Sequence, residues 1–337
     1  MPVSAPGPQS ISSGDPMAGR ELIPPEYAHA LRSPWSQQRG QTAPDIHDFP
    51  KLPVADPYDV PAYMPRGRFK GQELDLSKRR SVFTLAPEHH ERYGVKPGEV
   101  AVANFFHKGA GPDRHWVMRY RPEDLIRVTA QQVSRPMFTG HAQVRFDFKP
   151  GRGPILVPQD QNSRAKPVRI NSFVYSPETA VAKGRTFNII MGLFTRNSVV
   201  AHRFMSLDSI YQYSVEHKEE KIFQYPLRLS GQERRDLLEW YVKRSDREQY
   251  TKTFNTLFEN CGRNTFDGLN ALRPDPYLGV LNWGGFLGAG NGFNTSIMRL
   301  LLHSRRLVAD HKYPRLGLEF PERRLLEAKP LAAHSGV

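Results

Sequence analysis

The chain has one cysteine, Cys261, among 337 residues. A lone thiol closes no intramolecular disulfide, so the fold needs no oxidising compartment, and cysteine-rich zinc sites are excluded. Also missing is any run near the roughly 20 apolar residues that a membrane span requires. The opening stretch, "MPVSAPGPQSISSGDPMAG", has neither a basic n-region nor an apolar h-region. No ordinary export signal is therefore expected, which points to a cytoplasmic address with non-classical secretion left open. No internal repeat is visible. Acidic charge is scarce, with 34 Asp and Glu against 47 Lys and Arg and a net charge of +13. Residues 1–60 run at −3, so the remainder carries +16. Such a field favours anionic partners, meaning lipid headgroups, nucleic acid or an acidic protein. No basic stretch is interleaved with aromatic residues as in a nucleic-acid module, so an anionic membrane surface ranks above nucleic acid.

Prolines are abundant, 29 in all, and unevenly spread. Residues 1–65 are rich in Pro, Ser, Gly and Gln without a sustained period, and are expected to form a disordered arm. A single α+β domain is expected over 66–320, with a tail at 321–337. A short helix around Pro87 to Tyr93 leads through a Pro-Gly turn into a strand at Val100 to Phe106. His89 and His90 are adjacent, so on a helix they point about 100° apart, and neither has a carboxylate at i+4; they read as helix surface, not metal ligands. His107 and His115 flank the turn "KGAGPD" and receive no role.

In "TGHAQVRFDF", Ala142, Val144, Phe146 and Phe148 alternate with His141, Gln143, Arg145 and Asp147, which predicts a half-buried strand with His141 on its polar face. Two further strands are expected at 168–177 and 186–194, giving a small, mainly antiparallel sheet. From Ser230 the period changes. "SGQERRDLLEWYVKR" starts with a Ser230/Glu233 capping box and places Leu237, Leu238, Tyr241 and Val242 on one stripe, predicting a helix. A second helix is expected to start at Cys261 and stop before Pro274. The glycines of 278–294 lack the spacing of a nucleotide-binding loop and read as a flexible loop. A last amphipathic helix is expected in "TSIMRLLLHSRRLVADHKYP".

Asn260 is a favourable N-cap, so Cys261 falls in the first helical turn, where unpaired amides and the helix dipole favour thiolate over thiol. Against that reading stands the small buried hydrophobe that a lone cysteine often is. A thiol nucleophile also needs an oriented base, and His141 is the strand imidazole available. Between the two lies a strand carrying Asn171 and Ser172.

"TGHAQVRFDF" and "YTKTFNTLFENCGRN", with "NSFVYSPE", "IIMGLF" and "YQYSVEHKEEKIFQYPLRLSGQE" between them, are similar to the blocks of the Lnb N-terminal periplasmic domain family of bacteria, known also as domain of unknown function 4105. The resemblance covers about residues 135–275, with a weaker continuation upstream. It implies a circularly permuted relative of NlpC-type and papain-like cysteine enzymes, with a small antiparallel sheet packed against helices. It also implies acyl transfer or hydrolysis through a thioester. On this resemblance Cys261 is the nucleophile and His141 the general base, with Asn171 as third member and Ser172 in reserve. Asn260 and the Cys261 amide help bind the oxyanion, and Arg263 is available to an anionic substrate. The substrate is an acyl or amide compound, lipid or lipoprotein among the options; no cofactor or metal is implied. The family expectation of a periplasmic or membrane-surface address conflicts with the missing export signal. The alternative function class is a non-catalytic basic module that binds anionic lipid or nucleic acid.

Overall fold

Among the described residues eleven strands form where the sequence alternates or runs apolar: β1 (Phe83–Thr84), β2 (Val100–Phe106), β3 (His115–Tyr120), β4 (Leu125–Ser134), β5 (Gly140–Phe148), β6 (Ile155–Pro158), β7 (Val168–Arg169), β8 (Ser172–Val181), β9 (Ser198–Ser206), β10 (Lys221–Pro226) and β11 (Lys329–Pro330). Among the described residues the α-helices with given bounds are α1 (Leu207–Ile210), α2 (Gly231–Glu248), α3 (Cys261–Leu272) and α4 (Leu316–Glu319). In this computed structural model the described residues are 58–77, 79–109, 115–134, 140–160, 162–187, 192, 195–255, 260–273, 298, 302–303, 306–308, 313–321 and 329–330. Residues 1–57 of the expected arm, the glycine loop at 278–294 and most of the tail fall outside them.

The strands make one mixed sheet in the order β10-β4-β5-β8-β9-β2-β3-β6-β7-β11, with β1 on β2. Every pairing is antiparallel except β2 with β9, which meet in parallel at Phe106 and Met205. The class is α+β, as expected, but eleven strands are not a small sheet. One reason is β9, which the sequence reading misses: its run "SVVAHRFMS" is buried throughout, and the charged look of His202 and Arg203 hides it. The strand expected at 186–194 falls largely outside the described residues.

One face of the sheet carries the main core. Val144 and Phe146 of β5, Phe173 and Tyr175 of β8 and Phe204 of β9 pack under Leu237, Leu238, Tyr241 and Val242 of α2 and Phe266 and Leu269 of α3. Tyr175 and Tyr241 stack at 3.9 Å between ring centres. The Ser230 capping box is in place, with both reciprocal bonds made. Met298 and Leu302, in the expected last helix, are helical and buried in the same core.

The polar face of β5 departs from expectation because it is also buried. Neighbouring strands supply matching polar groups: Gln143 Nε2 donates to Gln131 (2.8 Å), Gln131 Nε2 to Gln224 (2.8 Å), and Arg145 Nη1 to Gln224 (3.0 Å). Arg145 also pairs with Asp147 at 2.6 Å and with Glu319 of α4 at 2.7 Å. Buried polar groups are tolerable when each finds its partner.

Residues 58–65, which the sequence reading assigns to the arm, make packing contacts. Met64 is buried against Leu74, Ala180 and Val199, and the Tyr58 hydroxyl accepts from the Ala86 amide at 3.0 Å. The helix expected over Pro87 to Tyr93 is a single 3₁₀ turn, Pro87–His89, with the His89 ring edge-on to Tyr58.

Candidate active site

The site is built where two strands part. β5 pairs with β4 along its whole length, from Leu125 opposite Phe148 to Ser134 opposite Gly140. It pairs with β8 only between Asp147 opposite Ser172 and Val144 opposite Tyr175. Beyond that rung β8 continues on β9 alone. The Phe148 amide donates to the Asn171 carbonyl, so alternation aims the backbone groups of Val144 and Ala142 toward β8 as well. Ala142 is the first to find no strand there. Thr265 replaces the missing partner, its Oγ1 donating to the Ala142 carbonyl at 3.3 Å. The first turns of α3 thus occupy the opening between β5 and β8.

Cys261 lies one turn before Thr265 and so on the same face of α3. The residue is half-buried. Asn260 caps the helix as expected: Oδ1 accepts from the Arg263 amide at 2.9 Å, and its carbonyl accepts from Asn264 Nδ2 at 2.8 Å.

His141 sits beside Ala142, at the start of β5 and of the same opening. Alternation sends its side chain to the sheet face of Val133, its cross-strand partner on β4. The ring reaches across the gap to β8, with Nε2 2.7 Å from Ser176 Oγ. Ser176 is fully buried, and its hydroxyl donates to Glu178 Oε1 at 3.3 Å. That carboxylate pairs in turn with Arg203 (3.3 Å) and Arg79 (3.5 Å). An ionised carboxylate only accepts, so the Ser176 proton is committed to Glu178 and Ser176 must accept from His141 Nε2–H. The lone pair of the imidazole is then on Nδ1. In a neutral ring this fixes the tautomer, the task of the third member in a nucleophile–base–orienter set.

Asn171 and Ser172, named from the sequence for that task, stand at the other end of β5. Ser172 opposes Asp147, six residues from His141, or about 20 Å at the rise of an antiparallel strand. Its hydroxyl donates to Asp147, and Asn171 is exposed. Neither orients the imidazole. Ser172, Ser176 and Glu178 share one face of β8, and the strand register, which the sequence does not display, decides which of them meets His141. Arg263 is partly exposed and pairs along the helix with Asp267 at 3.9 Å.

Behind the helix start lies a second buried chain. Tyr175 OH is 2.8 Å from His202 Nδ1, and His202 Nε2 is 2.9 Å from Glu248. Arg244 donates to Glu248 (2.9 Å) and to Asn264 Oδ1 (2.7 Å), and pairs with Asp267 at 3.0 Å. Burial lowers the His202 ring below its ordinary value against the pull of Glu248. Glu248 is held at about 2, because His202 and Arg244 outweigh the burial that would raise it. Burial raises the Tyr175 hydroxyl; Arg244 opposes this, and Glu248, Asp267 and Cys261 add to the rise. This chain ties the turn after Cys261 to α2 and the sheet. Among the described residues no three His, Cys, Asp or Glu side chains stand together as a metal site, and no helix is long and apolar enough to cross a membrane.

The Asn-capped helix that begins at Cys261 thus meets β5 at Ala142, the residue next to His141, on an α+β fold. The chain belongs to the Lnb N-terminal periplasmic domain family, whose sequence model matches residues 113–302. That span contains His141, Ser176, Glu178 and Cys261. The family's description suggests a periplasmic location and lends no support to the cytoplasmic expectation. No curated protein and no solved structure matches the chain.

Proposed function

We propose that the protein is a cysteine-dependent acyl-group enzyme of permuted papain-like type, acting in the periplasm on an acyl or amide substrate such as a lipid or lipoprotein. In this reading His141 Nδ1 takes the proton of the Cys261 thiol as sulfur attacks the substrate carbonyl. The tetrahedral oxyanion is met by the Cys261 amide at the helix start, where unpaired N–H groups and the dipole favour negative charge. Collapse expels the leaving amine or alcohol, which takes the proton back from His141 and leaves a thioester on Cys261. Water or an acceptor amine then attacks the thioester, again giving its proton to His141. Sulfur departs as thiolate and is reprotonated by the ring. Ser176 and Glu178 keep Nε2 protonated throughout.

The observation that carries this reading is that the helix beginning at Cys261 meets β5 at Ala142, Thr265 Oγ1 donating to its carbonyl at 3.3 Å, next to a His141 ring held 2.7 Å from Ser176 Oγ. The test is trapping of the intermediate. After incubation with a p-nitrophenyl acyl ester, intact-mass analysis is expected to find one acyl group on Cys261, absent in Cys261→Ala and strongly reduced in His141→Ala. Equal acylation of wild type and His141→Ala would remove the base from the scheme. No acylation of wild type by any chain length would favour the non-catalytic module.

A further inference from the structure

We propose a second site, a receptor for a phosphate group, in the cavity at the opposite end of the sheet from Cys261. The cavity holds about 290 Å³ and is walled by Lys96 and Glu99 just before β2, the end of β3, the start of β6, Arg169 of β7 and the turn at 151–153. Its Tyr120 packs on Phe148, the last residue of β5, whereas His141 lies at the start of that strand.

Charge and donors in this cavity are one-sided. Lys96, Arg119, Arg121, Arg152 and Arg169 line it, against only Glu99 and Asp124. Both carboxylates are committed, Glu99 to Arg119 at 2.9 Å and Asp124 to Lys149 at 3.2 Å and Arg152 at 3.7 Å. Among the described residues Arg169 donates only to the Gly153 carbonyl, and Lys96 has no carboxylate. Arg119 Nε is buried without a hydrogen-bond partner, a group that native sites satisfy with a ligand, water or ion. The turn contributes backbone as well. Gly151 sits at φ +73°, and a Cβ on Gly153 would lie 1.9 Å from the Ile170 carbonyl, so both positions require glycine. The amides of Gly151 and Gly153 donate to no protein acceptor among the described residues. Guanidinium, ammonium and turn amides around a concave space complement a compact anion rich in acceptors. The volume admits a phosphate with a glycerol-sized group attached. This also gives the excess positive charge of the folded region a definite place to act.

The phosphate can arrive free or on a lipid headgroup, and the experiment separates these sources. Inorganic phosphate and glycerol 3-phosphate are titrated calorimetrically into the full chain at constant ionic strength. In parallel the chain is sedimented with phosphatidylcholine vesicles, with and without phosphatidylglycerol. The variant is Lys96→Gln with Arg152→Gln, two exposed side chains whose neutralisation leaves the core untouched. Saturable phosphate binding that weakens about tenfold in the double variant supports the proposal with a free ligand. Phosphatidylglycerol-dependent sedimentation lost in the double variant supports it with a lipid-borne one. Cys261→Ala is expected to bind as wild type does, so failure of the acyl chemistry leaves this test intact. Absence of both kinds of binding, or binding undiminished in the double variant, overturns the proposal.

Discussion

Ser176→Ala isolates the part of the site that no pattern in the sequence marks. Ser176 is fully buried, lies 2.7 Å from His141 Nε2 and donates its hydroxyl hydrogen bond to Glu178. Alanine keeps the strand but leaves a buried imidazole N–H without an acceptor, at a cost of about 1–3 kcal/mol. For a domain of this size that lowers Tm by a few degrees. The chemical effect is larger. A thiol with the ordinary pKa of about 8.5 is only about 3% thiolate at pH 7, so full loss of the activating imidazole lowers the reactive fraction up to about thirtyfold. The greater intrinsic nucleophilicity of the less acidic sulfur returns part of this and leaves a net loss of about fivefold. Because Cys261 is the only cysteine, iodoacetamide uptake by the whole chain reads this site alone. Glu178→Gln sharpens the case. Its amide can donate to Ser176 Oγ, which turns the hydroxyl proton toward Nε2 and moves the ring proton to Nδ1. A loss at least as large as that of Ser176→Ala is expected. Alkylation at wild-type speed in both folded variants would refute the tautomer argument.

Two further perturbations test the frame. A Cβ on Gly268 would meet the Tyr241 ring at 2.7–2.9 Å. Gly268→Ala should therefore force α3 from α2 and cost about 1–3 kcal/mol by denaturant titration, despite the better helix propensity of alanine. Burial holds the His107 ring down at about 4, so between pH 6.5 and 4 the unfolded chain binds the proton that the folded chain refuses. The stability from this group is complete above about 6.5 and disappears as pH falls through about 4, a loss of about 3 kcal/mol. His107→Gln, which can still bond Ser206, should melt less steeply with acid than wild type over that window.

Local rules made much of this legible. The capping box, the stripe of α2, the Asn260 cap and the alternation of β5 are each decided within a few residues, and the structure has them. What lay beyond the sequence depends on register and on partners far along the chain. The polar face of β5 looked solvated because its partners Gln131, Gln224 and Glu319 are supplied by β4, β10 and α4. Ser176 replaced Asn171 and Ser172 because β8 pairs with β5 only as far as Tyr175, and the opening sets which serine faces the ring. His202 and Arg203 masked a buried strand because their charges are met by Glu248 and Glu178, residues no nearby pattern connects to them.

The central claim is that the His141 imidazole activates the Cys261 sulfur. The pH dependence of iodoacetamide alkylation, compared between wild type and His141→Ala, tests it most directly. The account predicts an inflection for wild type well below about 8.5 that moves up to that value in the variant. Superimposable profiles, or an ordinary midpoint in wild type, would contradict it.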